Sequence, residues 1–189
     1  MQSKYQGFII YSKLIKDNDL FIKVLSSNDQ VLSGLVYGGN SSKKRSIYQL
    51  GYFIEFNQLL KNYNSVSSIT GEIIPPFIGT IFNDKFKSFS LLSIVSIVNK
   101  SLYEGQKING LFISLNNLIY TIYSNNHWLT KFCEWHLYLL KLIGYEIDYI
   151  DKNRLKYFNL NSLNFQTNHI NKNTILFPHE LFNNSGKVS

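Results

Sequence analysis

Apolar residues in the first 74 positions come in short runs that are separated by polar turns. Runs of this length that are rich in Val, Ile, Tyr and Phe are typical of β-strands. The pattern predicts five strands, over 8–11, 20–25, 31–37, 52–60 and 66–74. Five short antiparallel strands with little helix predict a small closed barrel, and the OB-fold is the five-stranded barrel that binds oligonucleotides.

The strand pattern ends at Pro75-Pro76, because two prolines cannot continue a strand ladder. From there to about residue 149, apolar residues recur at intervals of three and four, which predicts three amphipathic helices. The apolar positions are Leu91, Leu92, Val95, Val98 and Leu102, then Leu111, Leu115, Leu118, Ile119 and Ile122, then Trp128, Phe132, Trp135, Leu139, Leu140 and Ile143. The sequence therefore predicts an α+β protein, with an OB-fold domain over 1–74 and a helical domain over 75–189.

Composition favours a polyanionic partner. The 189 residues carry a formal charge of +7, and the pI is about 9.3. Only Arg45 and Arg154 are arginines among nineteen cations, and this lysine-rich, asparagine-rich usage is expected of an AT-rich genome, which accounts for part of the basicity. The single cysteine, Cys133, excludes an internal disulfide and suits a reducing compartment. No apolar run has the length of a membrane span or a signal peptide, so we expect a cytoplasmic protein.

The segment 34–46, GLVYGGNSSKKRS, is the most informative part of the chain for function. An apolar strand end runs into Gly38-Gly39 and then into Lys43, Lys44 and Arg45. Paired glycines allow a tight turn at positive φ. A polar loop with three cations can bind the phosphates of a nucleic acid, and it contains no acid, base or nucleophile set. The alternative is a solvated loop that only aids solubility.

Further lysines and aromatic residues extend the candidate DNA-binding surface. Lys13, Lys16, Lys23 and Lys61 could enlarge the basic face, but each is also consistent with an ordinary surface lysine. Tyr37 adjoins the basic loop, and an exposed aromatic ring that stacks on a base contributes about 1–3 kcal/mol. Tyr48, Tyr52, Phe56 and Tyr63 also lie on or near the predicted strands, and we expect most of them to lie in the core.

Residues suited to metal binding or catalysis are few. Cys133 and His136 share one helix face, a spacing that can begin a zinc site, but no second pair of ligands follows at a suitable spacing. Asp17 and Asp19 could hold Mg²⁺ as in nucleases, and turns also favour Asp for local hydrogen bonds. The motifs of a phosphate-binding loop and of a serine nucleophile are missing. We expect no metal, no cofactor and no enzymatic activity.

The order and spacing of several short motifs resemble the RecO family of bacterial recombination and repair mediators. The N-terminal matches are Gly7, Asp17 with Asp19, the glycine-rich stretch 34–39, the basic loop 42–45 and Gln49-Leu50-Gly51. The later matches are Leu102-Tyr103-Glu104, then Trp128, Phe132, Glu134, Leu139, Leu140, Gly144, Tyr145 and Asp148, and finally the terminal segment 185–189. The resemblance therefore covers nearly the whole chain.

This resemblance implies a non-enzymatic mediator of the RecF pathway, associated with the bacterial nucleoid. Such a protein binds single- and double-stranded DNA, anneals complementary strands, and works with RecR to place RecA on DNA coated by single-strand binding protein. The chain departs from the family at Leu50, where a proline is usual, and near Gln30, where a glycine is usual. Many relatives carry a four-cysteine zinc site after the Leu-Gly-Tyr helix, where this sequence has no cysteine, and relatives continue for several more helices beyond the position of residue 189. From the residues alone, an OB-fold RNA-binding or ribosome-associated protein is the alternative.

Overall fold

The computed structural model of the chain describes residues 3–59, 66–75, 78–125, 127–145, 147–149, 152 and 154–180. Its first five strands are β1 Ser3–Lys16, β2 Asp19–Ser26, β3 Val31–Val36, β4 Phe53–Leu59 and β5 Ser68–Ile73. They form a closed barrel in the order β1-β2-β3-β5-β4, which confirms the predicted five-stranded barrel. Neighbouring strands are antiparallel except β3 and β5, where a parallel pairing of Leu35 with Ser68 closes the barrel.

Strand β1 is longer than the predicted run over 8–11, because it pairs with two neighbours. Residues 3–8 pair with β4, and residues 7–16 pair with β2. The register with β2 is irregular after Ile9, and the three successive residues Phe8, Ile9 and Ile10 are all buried. An irregularity of this kind bends a strand and increases its twist, which helps a small sheet to close.

The barrel interior follows the alternation of apolar residues along each strand. Its buried residues are Ile9, Leu20, Ile22, Val24, Val36, Tyr48, Ile54, Phe56 and Ile69. Of these, Tyr48 comes from the loop between β3 and β4, residues 37–52, which we call the β3–β4 loop. Ile47 and Leu50 of the same loop pack against this core. The loop is therefore part of the barrel's packing as well as a connection.

A 3₁₀ helix, Ile78–Asn83, leads into the first α-helix, α1 Lys85–Ser101. Asp84 is the N-cap of α1, and its carboxylate accepts hydrogen bonds from the amides of Phe86 and Lys87 at 2.9 and 3.1 Å. These amides would otherwise lack partners at the start of the helix. The helix packs mainly against β1 and the 3₁₀ helix.

The second helix, α2 Leu111–Ser124, is capped by a residue far away in sequence. The carboxylate of Asp29, in the turn between β2 and β3, accepts hydrogen bonds from the amides of Gly110 at 2.8 Å and Phe112 at 2.7 Å. A negative side chain is stabilising at a helix N-terminus, where unpaired amides carry partial positive charge. The β2–β3 turn therefore fixes the start of α2 beside the barrel.

The chain divides into two compact units between residues 125 and 126. The second unit contains α3 Trp128–Leu142 and a small sheet of β6 Tyr157–Asn159, β7 Asn164–Gln166 and β8 Thr174–Leu176, in the order β7-β6-β8. The three helices confirm the helical region that the apolar period predicts, whereas the sequence pattern does not predict this sheet. The domain boundary near residue 74 stays a prediction.

An aromatic cluster forms the core of the small sheet. The rings of Phe158, Phe165 and Phe177 contact one another, with centroids 4.9 to 6.1 Å apart. Phe158 and Phe177 are buried. Within the ranges described above, no helix has both the length and the apolar character needed to cross a lipid bilayer.

Candidate nucleic-acid interface

The β3–β4 loop begins with a turn that is tied to the preceding hairpin. Gly38 has φ +63°, a conformation that glycine adopts without steric cost. Its amide donates a hydrogen bond of 2.7 Å to the Asp19 carboxylate, and the amide of Asn40 donates one of 2.8 Å to the Asn18 carbonyl. These bonds fix the start of the loop against the turn between β1 and β2.

The loop then makes turns that satisfy its own backbone. The amides of Lys44 and Arg45 donate to the Ser41 carbonyl at 3.0 and 2.9 Å, and the amide of Ile47 donates to the Lys44 carbonyl at 2.8 Å. Lys43, Lys44 and Arg45 are all exposed. Because the backbone bonds are made internally, the three cationic side chains, which we call the loop cations, are presented to solvent by an ordered turn.

The far end of the loop is anchored in the barrel. Tyr48 is only 4% exposed, and its hydroxyl both donates to the Gly71 carbonyl and accepts from the Gly71 amide, each at 3.1 Å. Burial raises the pKa of Tyr48, so its hydroxyl stays protonated and able to donate. The amide of Gly51 donates to the Ile9 carbonyl at 2.8 Å, and the amide of Ile9 donates to the Tyr52 carbonyl at 2.9 Å. The loop cations therefore sit on a segment held at both ends.

The loop cations do not share one environment. The Lys44 ammonium donates a hydrogen bond of 3.2 Å to the carbonyl of Tyr37, whose side chain is itself exposed. Arg45 instead lines a cleft beside the loop, together with Ser46, Gln49, Tyr52 and Phe82. Lys44 is therefore tied to the start of the loop at Tyr37, whereas Arg45 borders the cleft.

Two of the predicted lysines lie on the outside of the first hairpin, in a surface we call the outer hairpin face. It consists of Tyr11, Lys13, Phe21 and Lys23, because Lys13 pairs with Phe21 and Tyr11 pairs with Lys23 across the two strands. The rings of Tyr11 and Phe21 have centroids 6.4 Å apart, and the Lys23 ammonium lies 5.8 Å from the Tyr11 centroid. The face thus combines cations with aromatic rings.

Sequence reasoning missed Tyr11 and Phe21 as candidate site residues. The alternation of apolar residues along β2 could have identified Phe21, because side chains next to inward-facing positions point to the other side of a strand. Ile22 and Val24 are indeed fully buried, so Phe21 and Lys23 face outward. Aromatic residues on the outward positions of a barrel strand, next to lysines, are typical of surfaces on which bases stack.

The remaining predicted residues are placed as follows. Lys16 is exposed at the end of β1, where its backbone pairs with that of Asp19, close to the start of the β3–β4 loop. Phe56 of β4 and Tyr48 of the β3–β4 loop are buried, as expected, and Tyr52 is half-buried. Lys61 and Tyr63 lie outside the described residues. The structure therefore brings Lys16, Tyr37 and the loop cations to one end of the barrel, next to the outer hairpin face.

Two of the residues considered for metal chemistry, Asp19 and His136, make hydrogen bonds to the backbone. Asp19 holds the Gly38 amide, which is the local turn role that its position also suggested. The His136 Nδ1 donates to the Phe132 carbonyl at 2.7 Å, and burial, together with the charge of Glu134, raises the pKa of the Cys133 thiol. Among the described residues there is no group of three or more His, Cys, Asp or Glu side chains arranged to hold a metal ion.

Comparisons with known proteins give one consistent result. No family model matches the chain. DNA repair protein RecO of Rickettsia canadensis is 27% identical over 148 residues, which is 78% of this chain and 61% of that protein. The RecO proteins of Rickettsia akari and Rickettsia conorii are each 28% identical over 148 residues, with 78% of this chain and 62% of each relative covered. The chain thus spans about three fifths of the length of these relatives, and their shared name confirms that it resembles the RecO family.

Proposed function

We propose that the chain is a DNA-binding protein of repair and recombination that acts without enzymatic chemistry. The observation that carries this proposal is the β3–β4 loop, which presents Lys43, Lys44 and Arg45 while Tyr48 anchors it to the barrel. The similarity to proteins named DNA repair protein RecO supports the same role. The formal charge of +7 adds a long-range attraction for a polyanion.

The proposed mode of binding depends on phosphates and is independent of sequence. Each lysine or arginine that neutralises a phosphate releases counterions, which drives binding and makes it sensitive to salt. Contacts of this kind position a strand and leave its base edges free to pair. We propose that the chain binds single- and double-stranded DNA and anneals complementary strands by screening their mutual repulsion.

The finer parts of the proposal come from the resemblance to RecO. We propose that RecR, single-strand binding protein and, indirectly, RecA are its partners, and that it acts in the cytoplasm at the bacterial nucleoid. No group of described residues identifies a surface for any of these proteins. Their binding is therefore best tested directly, by mixing the purified chain with each partner and measuring complex formation.

DNA affinity as a function of salt concentration tests the loop. Replacement of Lys43, Lys44 and Arg45 together by Ala should make the slope of log affinity against log salt shallower by up to about 2.7 for duplex DNA, because each lost phosphate contact removes about 0.9. Strand annealing should slow along with binding. Circular dichroism of the variant should match that of the parent chain, since exposed positions contribute little to stability.

A matched control removes the same charge elsewhere. Lys100, Lys107 and Lys172 are exposed and lie outside the loop and the outer hairpin face. Their joint replacement by Ala lowers the net charge equally, so it reports the general effect of charge. If both triple variants change the slope by the same amount, the loop is only a solvated surface feature and the proposal is wrong.

Two further measurements separate this function from its competitors. Structured RNA that displaces single-stranded DNA at equal concentration would favour the OB-fold RNA-binding or ribosome-associated alternative. Incubation of labelled DNA with the chain and Mg²⁺ tests for a nuclease, and we expect the DNA to remain intact.

A further inference from the structure

The cleft on which Arg45 lies has the composition of a binding site. It has a volume of about 350 Å³ and is lined by Arg45, Ser46, Gln49, Tyr52 and Phe82; we call it the aromatic cleft. Its volume is within the range of about 300–1,000 Å³ that is typical of small-molecule sites. It combines a guanidinium, an amide, a hydroxyl and two aromatic rings, and it opens beside the loop cations.

The backbone holds the two rings of the aromatic cleft in place. The amide of Tyr52 donates to the Gln49 carbonyl at 3.2 Å, and the Tyr52 carbonyl accepts from Ile9 of β1 at 2.9 Å. Phe82 belongs to the 3₁₀ helix, where its neighbour Ile81 is buried while Phe82 itself stays 39% exposed. The ring centroids of Tyr52 and Phe82 are 6.0 Å apart with 42° between their planes. The two rings contact each other, so a flat ligand would lie across them and not between them.

The polar wall of the cleft is also ordered. The Gln49 amide nitrogen donates a hydrogen bond to the Arg45 carbonyl, which links both lining residues through one contact. Ser46 lies between them in sequence and is exposed. Hydroxyl and amide groups at this position can bond to the edge of a flat polar ligand, and a guanidinium plane can stack on it or bind an adjacent phosphate.

We propose that the aromatic cleft binds one nucleobase of a single strand whose phosphates lie on the loop cations. This inference rests on the proposed function and makes it more specific, because it names the chemical form of the nucleic acid that the site prefers. A base has a π-face that stacks on aromatic rings whatever its identity, so the site tolerates any sequence. Bases of a duplex are already paired and stacked, and a duplex base enters the cleft only after unpairing. The cleft therefore gives the chain a preference for single strands that the loop cations alone do not provide.

Phe82→Ala tests the cleft, and Phe86→Ala is its matched control. Phe86 is 74% exposed and lies at the start of α1, outside the cleft. We expect Phe82→Ala to lower affinity for an oligothymidylate about 5- to 150-fold, the range that base–aromatic stacking gives on truncation. The salt slope and the affinity for duplex DNA should be unchanged, because no phosphate contact is lost. Phe86→Ala should leave the affinity for the oligothymidylate unchanged, along with the salt slope and the affinity for duplex DNA.

A second measurement does not depend on how well a variant folds. Affinity is compared between an oligothymidylate and a strand of the same length that carries abasic sugars only. The ratio of the two affinities should be smaller in Phe82→Ala than in the parent chain, and it should be unchanged in Phe86→Ala. An unchanged ratio in Phe82→Ala overturns the proposal.

The failure of this inference can be told from the failure of the proposed function. If the salt slope of the triple loop variant becomes shallower while Phe82→Ala binds the oligothymidylate and the abasic strand like the parent chain, the loop binds DNA and the cleft binds no base. If Phe82→Ala weakens single-stranded and duplex binding equally, the cleft does not select single strands and the inference is also wrong. If the triple loop variant keeps its slope, the proposed function itself fails.

Discussion

The hydroxyl of Tyr48 and the backbone of Gly71 exchange two hydrogen bonds of 3.1 Å, one in each direction. A single side chain thereby attaches the β3–β4 loop to β5, the strand that lies between β3 and β4 in the barrel. The relation explains how a loop with three exposed cations remains ordered, because the same segment also supplies a buried ring to the barrel core.

Tyr48→Phe should lower the free energy of unfolding by about 1–3 kcal/mol. The phenylalanine keeps the ring in the core, but the amide and carbonyl of Gly71 lose their shared partner, and a buried polar group without a partner costs about this much. Urea denaturation measures the change. Tyr103→Phe is the control, because Tyr103 is 81% exposed. Equal stability of the two variants would mean that the Tyr48 hydroxyl contributes nothing to the anchoring of the loop.

Asp19→Ala should loosen the start of the β3–β4 loop. The variant removes the acceptor of the Gly38 amide, and we expect a loss of about 1–2 kcal/mol in the free energy of unfolding, with faster hydrogen exchange of that amide. Asp19→Asn is the control, because it removes the same charge and keeps an oxygen acceptor. If both variants exchange the Gly38 amide at the same rate, the carboxylate acts only through its charge.

The parts of this fold that depend on local pattern could be predicted from the sequence. The alternation of Leu20, Ile22 and Val24 predicts an inward face for β2, and these residues are buried in the barrel. The three helices follow from the recurrence of apolar residues at three and four. The strands β6, β7 and β8 have three residues each, which is too short for any period to be recognised.

Only those parts of the candidate interface that are adjacent in sequence could be predicted. Lys43, Lys44 and Arg45 are adjacent in sequence, so their shared loop was visible. Tyr52 and Phe82 are thirty positions apart, and only the packing of the 3₁₀ helix beside the barrel brings their rings together. The capping of α2 by Asp29 was likewise not predictable, because the bond to Phe112 spans 83 positions. Contacts between residues so far apart in the chain depend on tertiary structure, and no local pattern in the sequence predicts them.

Phe158→Ala should destabilise the second unit. Phe158 is 3% exposed at the centre of the aromatic cluster, and truncation of a buried phenylalanine typically costs about 3–5 kcal/mol. Limited proteolysis should then cut first within 126–189, while binding of DNA to the first unit persists. Leu176→Ala is the control, since Leu176 lies in the same small sheet and is exposed. An unfolding curve of Phe158→Ala that matches the control would show that the cluster does not stabilise this unit.

The outer hairpin face provides the last prediction. Lys13 and Lys23 flank the rings of Tyr11 and Phe21, so a strand whose bases stack there would place phosphates near both lysines. Lys13→Ala with Lys23→Ala should make the salt slope for single-stranded DNA shallower by about 1.4, since each contact on a single strand contributes about 0.7. If one strand follows both this face and the β3–β4 loop, the slope changes of this double variant and of the triple loop variant on single-stranded DNA should add when the five substitutions are combined, because each neutralised phosphate contributes its own increment to the slope. A combined variant whose slope equals that of the triple loop variant would mean that the lysines of the outer hairpin face do not contact the strand, and that the DNA path is confined to the loop and its cleft.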